Sequence, residues 1–286
     1  MVRVPPRLSQ IRRFPVKSCR GARVESAVVE PWGLAGDRRW LVVDEAGRGI
    51  TAREVNQLVL VVPELTESGL LLRAPGRPPL EVPVPDPQAQ TPVSLWSSSL
   101  TAAAAGPVAD DWLTAALGVP ARLVHLDDPT RRPTSPTFSR PTDRVSFADG
   151  YPLLLATEES LAALNEVVTG APEGAPLPMD RFRPNVVVAG FDAWAEDDWR
   201  LLRIGDAVFR AVKGCARCVI TTLDPETAAR GREPIASLAR IRRWDGKTWF
   251  GINLVPDTAG VTIRVGDDVE VLESVPPGGG PIRPER

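Results

Sequence analysis

The sequence predicts a mainly β protein: β-barrel lobes of short strands with a few inserted helices. Three observations lead there. Short apolar runs of strand character recur along the chain, first LSQIRRF, ARVESAVVE and RRWLVVDEAG. The 30 prolines and 23 glycines fall mainly between such runs, where they mark turns. Stretches of helical period are few and short. Strands separated by turn signals suit a barrel or sandwich and do not suit alternating β–α–β units.

Taken in order, the first lobe is expected over residues 1–100, made of strands alone. Residues 44–49, DEAGRG, close a hairpin after the third run, and GLLLRAP, LEVPVP and VSLW follow. The second lobe is expected over residues 101–274. It opens with a helix over 108–118, VADDWLTAALG. Asp110 and Asp111 suit its first turn and Gly118 its end, as the helix dipole and a left-handed cap favour. ARLVHLD reads as a strand. Residues 127–146, DDPTRRPTSPTFSRPTDRVS, form a long non-periodic loop. Its Arg131, Arg132, Arg140 and Arg144 read either as an anion-facing lid or as solvated charges. PLLLA is a buried strand. Thr157 then caps a helix with Glu158 and Glu159 in its first turn and Leu161, Leu164 and Val168 on one face. NVVVAGF, WRLLRIG, AVFRAV and CVITTL read as strands. PIASLARIRR is a helix with Pro234 in its first turn, and FGINLV, GVTIRVG and VEVLE are strands. Residues 275–286, VPPGGGPIRPER, are expected to be disordered.

Charge and composition narrow the function. With 34 Lys and Arg against 36 Asp and Glu, the net charge is −2, so there is no basic excess to track a nucleic acid. Any anion recognition is local. No run approaches the ~18 apolar residues of a membrane span, and MVRVPPRLSQIRRFPVKS holds no apolar core of signal-peptide length. These readings give a cytosolic (cytoplasmic) protein with no membrane partner. Three cysteines, an odd number in such a compartment, argue against a disulfide framework.

The cysteines raise the sharpest question. Cys215 and Cys218 form a Cys-x-x-Cys in GCARCVITTLDP, yet the other soft ligands are only Cys19 and His125. A structural zinc site needs four ligands, and a redox pair would open a helix after a strand. This pair leads into a β-branched run instead. On a strand, residues three apart face opposite ways, so one cysteine is expected in a core and the other in a cleft. A single thiolate serving a cofactor-bound metal fits that arrangement. In RFRPN, residues 181–185, Arg183 and Asn185 flank a proline before a strand, with spacing that lets both reach one ligand. Lys17 in FPVKSCRG and Arg38 in GDRRW sit beside turns and suit a phosphate. His125 has no motif partner and reads as a packed or surface residue. No hydrolase, Walker or dinucleotide motif stands in its proper context.

In this order FPVKSCRG, GDRRWLVVD, FADGYPLLL, RFRPNVVV, CARCVITTLDPETA and FGINLV resemble the MOSC superfamily, and within it the two-lobed members with an N-terminal MOSC-type β-barrel. That group includes the amidoxime-reducing components and bacterial reductases of N-hydroxylated bases. The resemblance runs from about residue 7 to residue 273. It implies a molybdenum cofactor held as a pterin (molybdopterin) dithiolene, with Cys218 as catalytic residue and metal ligand. It implies cofactor contacts from Lys17, Ser18, Arg38, Asp149, Gly150, Tyr151, Arg183, Asn185, Arg217 and Asn253, with Gly251 beside the last. Ala216 lacks the hydroxyl that some relatives place there, and Cys215 is left as a core residue. The implied activity is reduction of N–OH to N–H on a small N-hydroxylated molecule. Electrons would come from a separate donor, of ferredoxin or cytochrome type with its reductase. The alternative is a cofactor or sulfur carrier using a persulfide on Cys218.

Overall fold

The computed structural model describes residues 5–170 and 174–284. Its centre is a nine-stranded sheet. Strands run in the order Val269–Ser274, Trp199–Ile204, Ala207–Ala216, Lys247–Pro256, Leu153–Thr157, Val186–Ala189, Arg7–Arg13 and Ala22–Val24, with Arg243–Trp244 attached to Lys247–Pro256. Among the described strands of this sheet, Leu153–Thr157 and Val186–Ala189 are the one parallel pair, and α2, Glu158–Thr169, is part of the crossover between them. The sheet curls far enough for its ends to meet. Leu8 N donates to Asp267 O, Gly266 N to Leu8 O and Val269 N to Pro6 O. Closing the curl removes open strand edges and encloses a core of Leu8, Val29, Leu155, Val188, Leu202, Phe209, Ile252 and Ile263.

A four-stranded sheet of Trp40–Val43, Arg122–His125, Ser98–Ala104 and Gln90–Leu95 lies beside two three-stranded sheets. Helix α1, Pro107–Leu117, ends at Gly118 in the left-handed conformation, as its composition predicts. It buries Leu113 and Leu117 in a second core around Trp40, Leu58 and Leu72. Thr157 caps α2, accepting from Ser160 N at 3.0 Å. Helix α3, Ile235–Ile241, follows Pro234, which takes the capping position.

Strand pairing crosses the division expected at residue 100. Arg7–Arg13 pairs with Val186–Ala189, Ser26–Glu30 with Thr262–Arg264, and Trp40–Val43 with Arg122–His125. CVITTL is not a strand: the chain leaves the sheet after Ala216 and Val219–Thr222 form a 3-10 turn. The last residues also depart from expectation. Through residue 284 the tail folds back on the sheet. Gly214 N donates to Ile282 O at 2.9 Å, and Arg283 pairs with Asp245. A Cβ on Gly214 would lie 2.6 Å from Pro281, so this glycine is what admits the tail. Residues 285–286 lie outside the described residues.

Candidate functional site

Two hairpin-like connections near the start of the chain build one wall of a cavity. Asp37 is buried and accepts from Phe14 N at 2.8 Å and from Arg38 Nη1 at 2.6 Å. Arg38 Nη1 also donates to Asn185 Oδ1 at 2.8 Å, and Nη2 to Arg183 O at 3.3 Å. The Phe14 ring takes both guanidiniums, Arg38 and Arg183, each 4.4 Å from its centroid. Asn185 therefore holds the Arg38 cation, while the Arg183 guanidinium has no hydrogen bond or ion pair among the described residues and lines the cavity. Burial, and then Arg38, push its pKa down to about 10, so it stays charged at neutral pH.

Three of the seven described non-glycine residues with positive φ are Ser18, Arg38 and Arg183, at 68°, 48° and 56°. All three line this cavity. Such backbone is costly for L residues and gathers where a site demands it.

The second wall is FADGY. Lys17 is buried and donates from Nζ to Phe147 O at 2.9 Å and to Asp149 Oδ1. Burial pulls the Lys17 pKa down to about 8, against the opposing pull of Asp149. Burial disfavours the Asp149 carboxylate in turn, but Lys17, with Arg53 and Arg38, outweighs it and holds the group ionised. The Asp149 side chain remains 63% exposed, so the pair opens toward the cavity and solvent on that side. Behind this segment Arg132 is buried and donates to Ser146 O, to Ala148 O at 2.6 Å and to Asp149 O at 3.1 Å. The arginines of 127–146, read as an anion-facing lid or as solvated charges, are each engaged within the protein: Arg132 braces the wall, Arg131 pairs with Asp127, Arg140 with Asp257, and Arg144 donates to backbone carbonyls.

The cysteines come from the third wall. The strand Ala207–Ala216 alternates in burial through Ala211 and then loses register against Lys247–Pro256, between Ala211 and Lys213 and again between Gly214 and Ala216. Asn253 fastens this bulged stretch, donating to Lys213 O at 3.0 Å and Gly214 O at 3.3 Å. Beyond Ala216 the chain turns: Thr221 N and Oγ1 both donate to Cys218 O, at 3.1 and 2.9 Å. As a result Cys215 and Cys218 line the same cavity. The expected division into one core and one cleft cysteine fails because strict alternation does not survive two bulges and a 3-10 turn. Arg217 Nη1 lies 2.8 Å from Cys215 Sγ, and its Nη2 donates to Phe182 O at 2.7 Å. Burial raises the Cys215 thiol pKa and Arg217 opposes it. Cys19 is a core residue, pushed up to about 12 by burial. His125 packs on Trp40 with ring centroids 4.6 Å apart; burial, aided by Arg39, lowers its pKa to about 4.

The cavity is an open cleft whose space, counted with the solvent at its mouth, is about 680 Å³, and it is lined by Lys17, Ser18, Arg38, Asp149, Gly150, Tyr151, Arg183, Asn185, Arg217, Cys218 and Asn253. Gly251 is not among the lining residues; it sits against Leu155 O, where a Cβ would come within 2.6 Å. Sequence reasoning missed the roles of Asp37, Phe14 and Arg53, left Arg132 to a lid or to solvent, and misplaced Cys215. Only Asp37 carried a signal, as the acid directly before two arginines. Among the described residues no group of three or more His, Cys, Asp or Glu could by itself hold a metal ion. A cysteine and a guanidinium free of ion pairs on one cavity suit an anionic group that brings most of a metal's ligands with it.

The chain matches the MOSC N-terminal beta barrel domain over residues 5–120 and the MOSC domain over residues 142–270. Fold and site together define a two-part MOSC protein. The human mitochondrial amidoxime-reducing component 1 is 34% identical, the match covering 93% of this chain and 82% of that protein. The human component 2 is 33% identical, with 90% and 80% covered. This chain belongs to the family of the amidoxime-reducing components. It is also 32% identical to the molybdenum cofactor sulfurase of Oryza sativa subsp. japonica, over 86% of this chain but 32% of that protein.

These relatives correct the expected cytosolic location, because they are named mitochondrial. The physical reason is plain. The lack of a long apolar run fixes no compartment, because organellar addresses need no apolar core. Among the described residues no helix is long and apolar enough to cross a membrane.

Proposed function

We propose that the cavity holds the pterin part of a molybdenum cofactor between Lys17, Ser18, Arg38, Asp149, Gly150, Tyr151, Arg183, Asn185, Arg217 and Asn253, with the Cys218 thiolate toward the metal. The chain is a molybdenum-cofactor-dependent oxidoreductase that reduces N-hydroxylated compounds. The observation that carries the site is Cys218 opening onto the same cavity as the unpartnered Arg183 guanidinium. When bound, the cofactor supplies the two electrons that convert N–OH to N–H and water, replenished by a separate donor of ferredoxin or cytochrome type with its reductase.

The chain's own residues supply binding and protons. Arg183, Arg38 and Lys17 concentrate positive charge where an anionic pterin and its phosphate would lie. Asp149, held ionised, accepts hydrogen bonds and is no proton donor at neutral pH. The Tyr151 phenol keeps its proton, because burial raises its pKa against the opposing bond with Ser135. Lys17 Nζ is the other donor at the cavity wall.

Elemental analysis of wild type, Cys218→Ser and Cys215→Ser, produced where the cofactor is made, tests this. Molybdenum in wild type, with reduction of an amidoxime lost in Cys218→Ser and kept in Cys215→Ser, supports the assignment. Loaded wild-type protein without turnover would sink it. A second reading, a cofactor or sulfur carrier, is favoured by the match to the rice sulfurase, though the chain spans only about a third of that protein. A persulfide on Cys218 in molybdenum-free protein would favour it.

A further inference from the structure

The hairpin Gln90–Leu95 to Ser98–Ala104 turns through two residues, Trp96 and Ser97, since Leu95 and Ser98 pair. Its first turn position demands positive φ and favours glycine, asparagine or aspartate. Here Trp96 occupies it at φ 56°. Its side chain is 51% exposed, so core packing does not explain it. A bulky residue held in strained backbone and left in solvent points to a contact it makes with something else.

The surroundings say where that contact lies. The Arg53 guanidinium stands 4.4 Å from the indole centroid and Lys17 Nζ 5.6 Å from it. Arg53 Nη2 is 3.5 Å from Asp149 Oδ2, and Asp149 pairs with Lys17. The series Trp96, Arg53, Asp149, Lys17 thus leads from the hairpin tip to the cavity wall. An indole stiffened by a stacked guanidinium is a platform for a flat apolar group.

We propose that Trp96 is a specificity-determining residue: its open surface receives the planar substituent of an N-hydroxylated amidine whose N–OH end enters the cavity. This rests on the reductase reading above.

The test uses cofactor-loaded wild type, Trp96→Gly and Trp96→Phe. Glycine adopts positive φ without strain, so its variant keeps the turn and loses the indole with its Arg53 and Lys17 contacts, a loss common to every substrate. Each is assayed with benzamidoxime and acetamidoxime, and binding of benzamidine and acetamidine is measured by calorimetry. The expected result for Trp96→Gly is a KM for benzamidoxime raised about fivefold with kcat within about twofold, and a matching loss of benzamidine affinity. The methyl-substituted pair, acetamidoxime and acetamidine, should show no such selective loss, and Trp96→Phe should restore most of it. Equal changes for both pairs, no change, or no benzamidine binding by wild type overturns the proposal. If wild type reduces neither amidoxime, the reductase reading fails, while calorimetry still decides the role of Trp96.

Discussion

Arg38 Nη1 donates to the Asn185 side-chain oxygen at 2.8 Å, joining residues 147 apart in the chain. The same oxygen accepts from Leu154 N at 3.2 Å, and Asn185 Nδ2 donates to Arg12 O at 3.3 Å. One buried amide therefore ties two sheet strands and a third chain segment to the cation that faces the cavity. Replacing it leaves a guanidinium, an amide and a carbonyl short of partners. Asn185→Ala is expected to cost about 2–3 kcal/mol in urea unfolding and to lower cofactor content. A variant as stable as wild type and fully loaded would show that Arg38 needs no such anchor.

Three of the loop arginines should divide sharply. Arg132→Met removes the donor to three carbonyls of the 146–149 segment, a loss of about 3 kcal/mol expected from uncompensated buried groups. Arg131→Ala and Arg140→Ala break solvated pairs worth no more than about 1 kcal/mol. Denaturation midpoints of the three variants decide this, and equal effects would count against it.

Lys17 should make anion binding depend on pH. Its pKa of about 8 in the free protein lies below the ordinary lysine value, so part of the population is neutral above pH 8. An anion binds the charged form, raises the pKa and draws in a proton. Affinity for a phosphate-bearing pterin should therefore fall as pH rises past about 8. Calorimetry in buffers of different ionisation enthalpy should register proton uptake in wild type and none in Lys17→Met.

Glu196 offers a stability test away from the cavity. It is buried, its Oε2 accepts from Ser160 Oγ at 2.9 Å, and its Oε1 has no hydrogen-bond partner. Burial, reinforced by Asp197, pushes its pKa up to about 7 against Ser160 and Arg242. The folded protein then holds a proton that the unfolded chain releases between pH 4.5 and 7. The stability this gives is full below about pH 4.5 and is lost as pH rises through 7. Glu196→Gln should match wild type near pH 4.5 and exceed it by about 1–3 kcal/mol at pH 8. Parallel pH profiles for the two proteins would refute the assignment.

Strands were legible wherever alternation was regular. SAVVE buries Ala27 and Val29 and exposes Val28 between them, and Ala207–Ala211 alternates buried with half-buried residues. VITT misled because β-branched residues favour strands locally, while the actual turn is closed by Thr221 on the Cys218 carbonyl. The tail misled because its proline and glycine content says nothing of the gap at Gly214 that receives it. At the site, the cations and Cys218 were readable through family motifs. What holds them was not. Asp37 with Phe14, and Arg132 behind Asp149, are contacts between segments whose one-dimensional patterns carry no trace of each other.

The return of the tail to Gly214 has a bearing on wiring. Ile282 lies on the strand that ends in Cys215 and Ala216, so any module fused beyond residue 284 would leave the fold next to the cysteine wall. A redox carrier tethered there would search a small volume around the cavity, with its effective concentration set by linker length. The same short path makes that end of the chain the natural place to attach an artificial reductant.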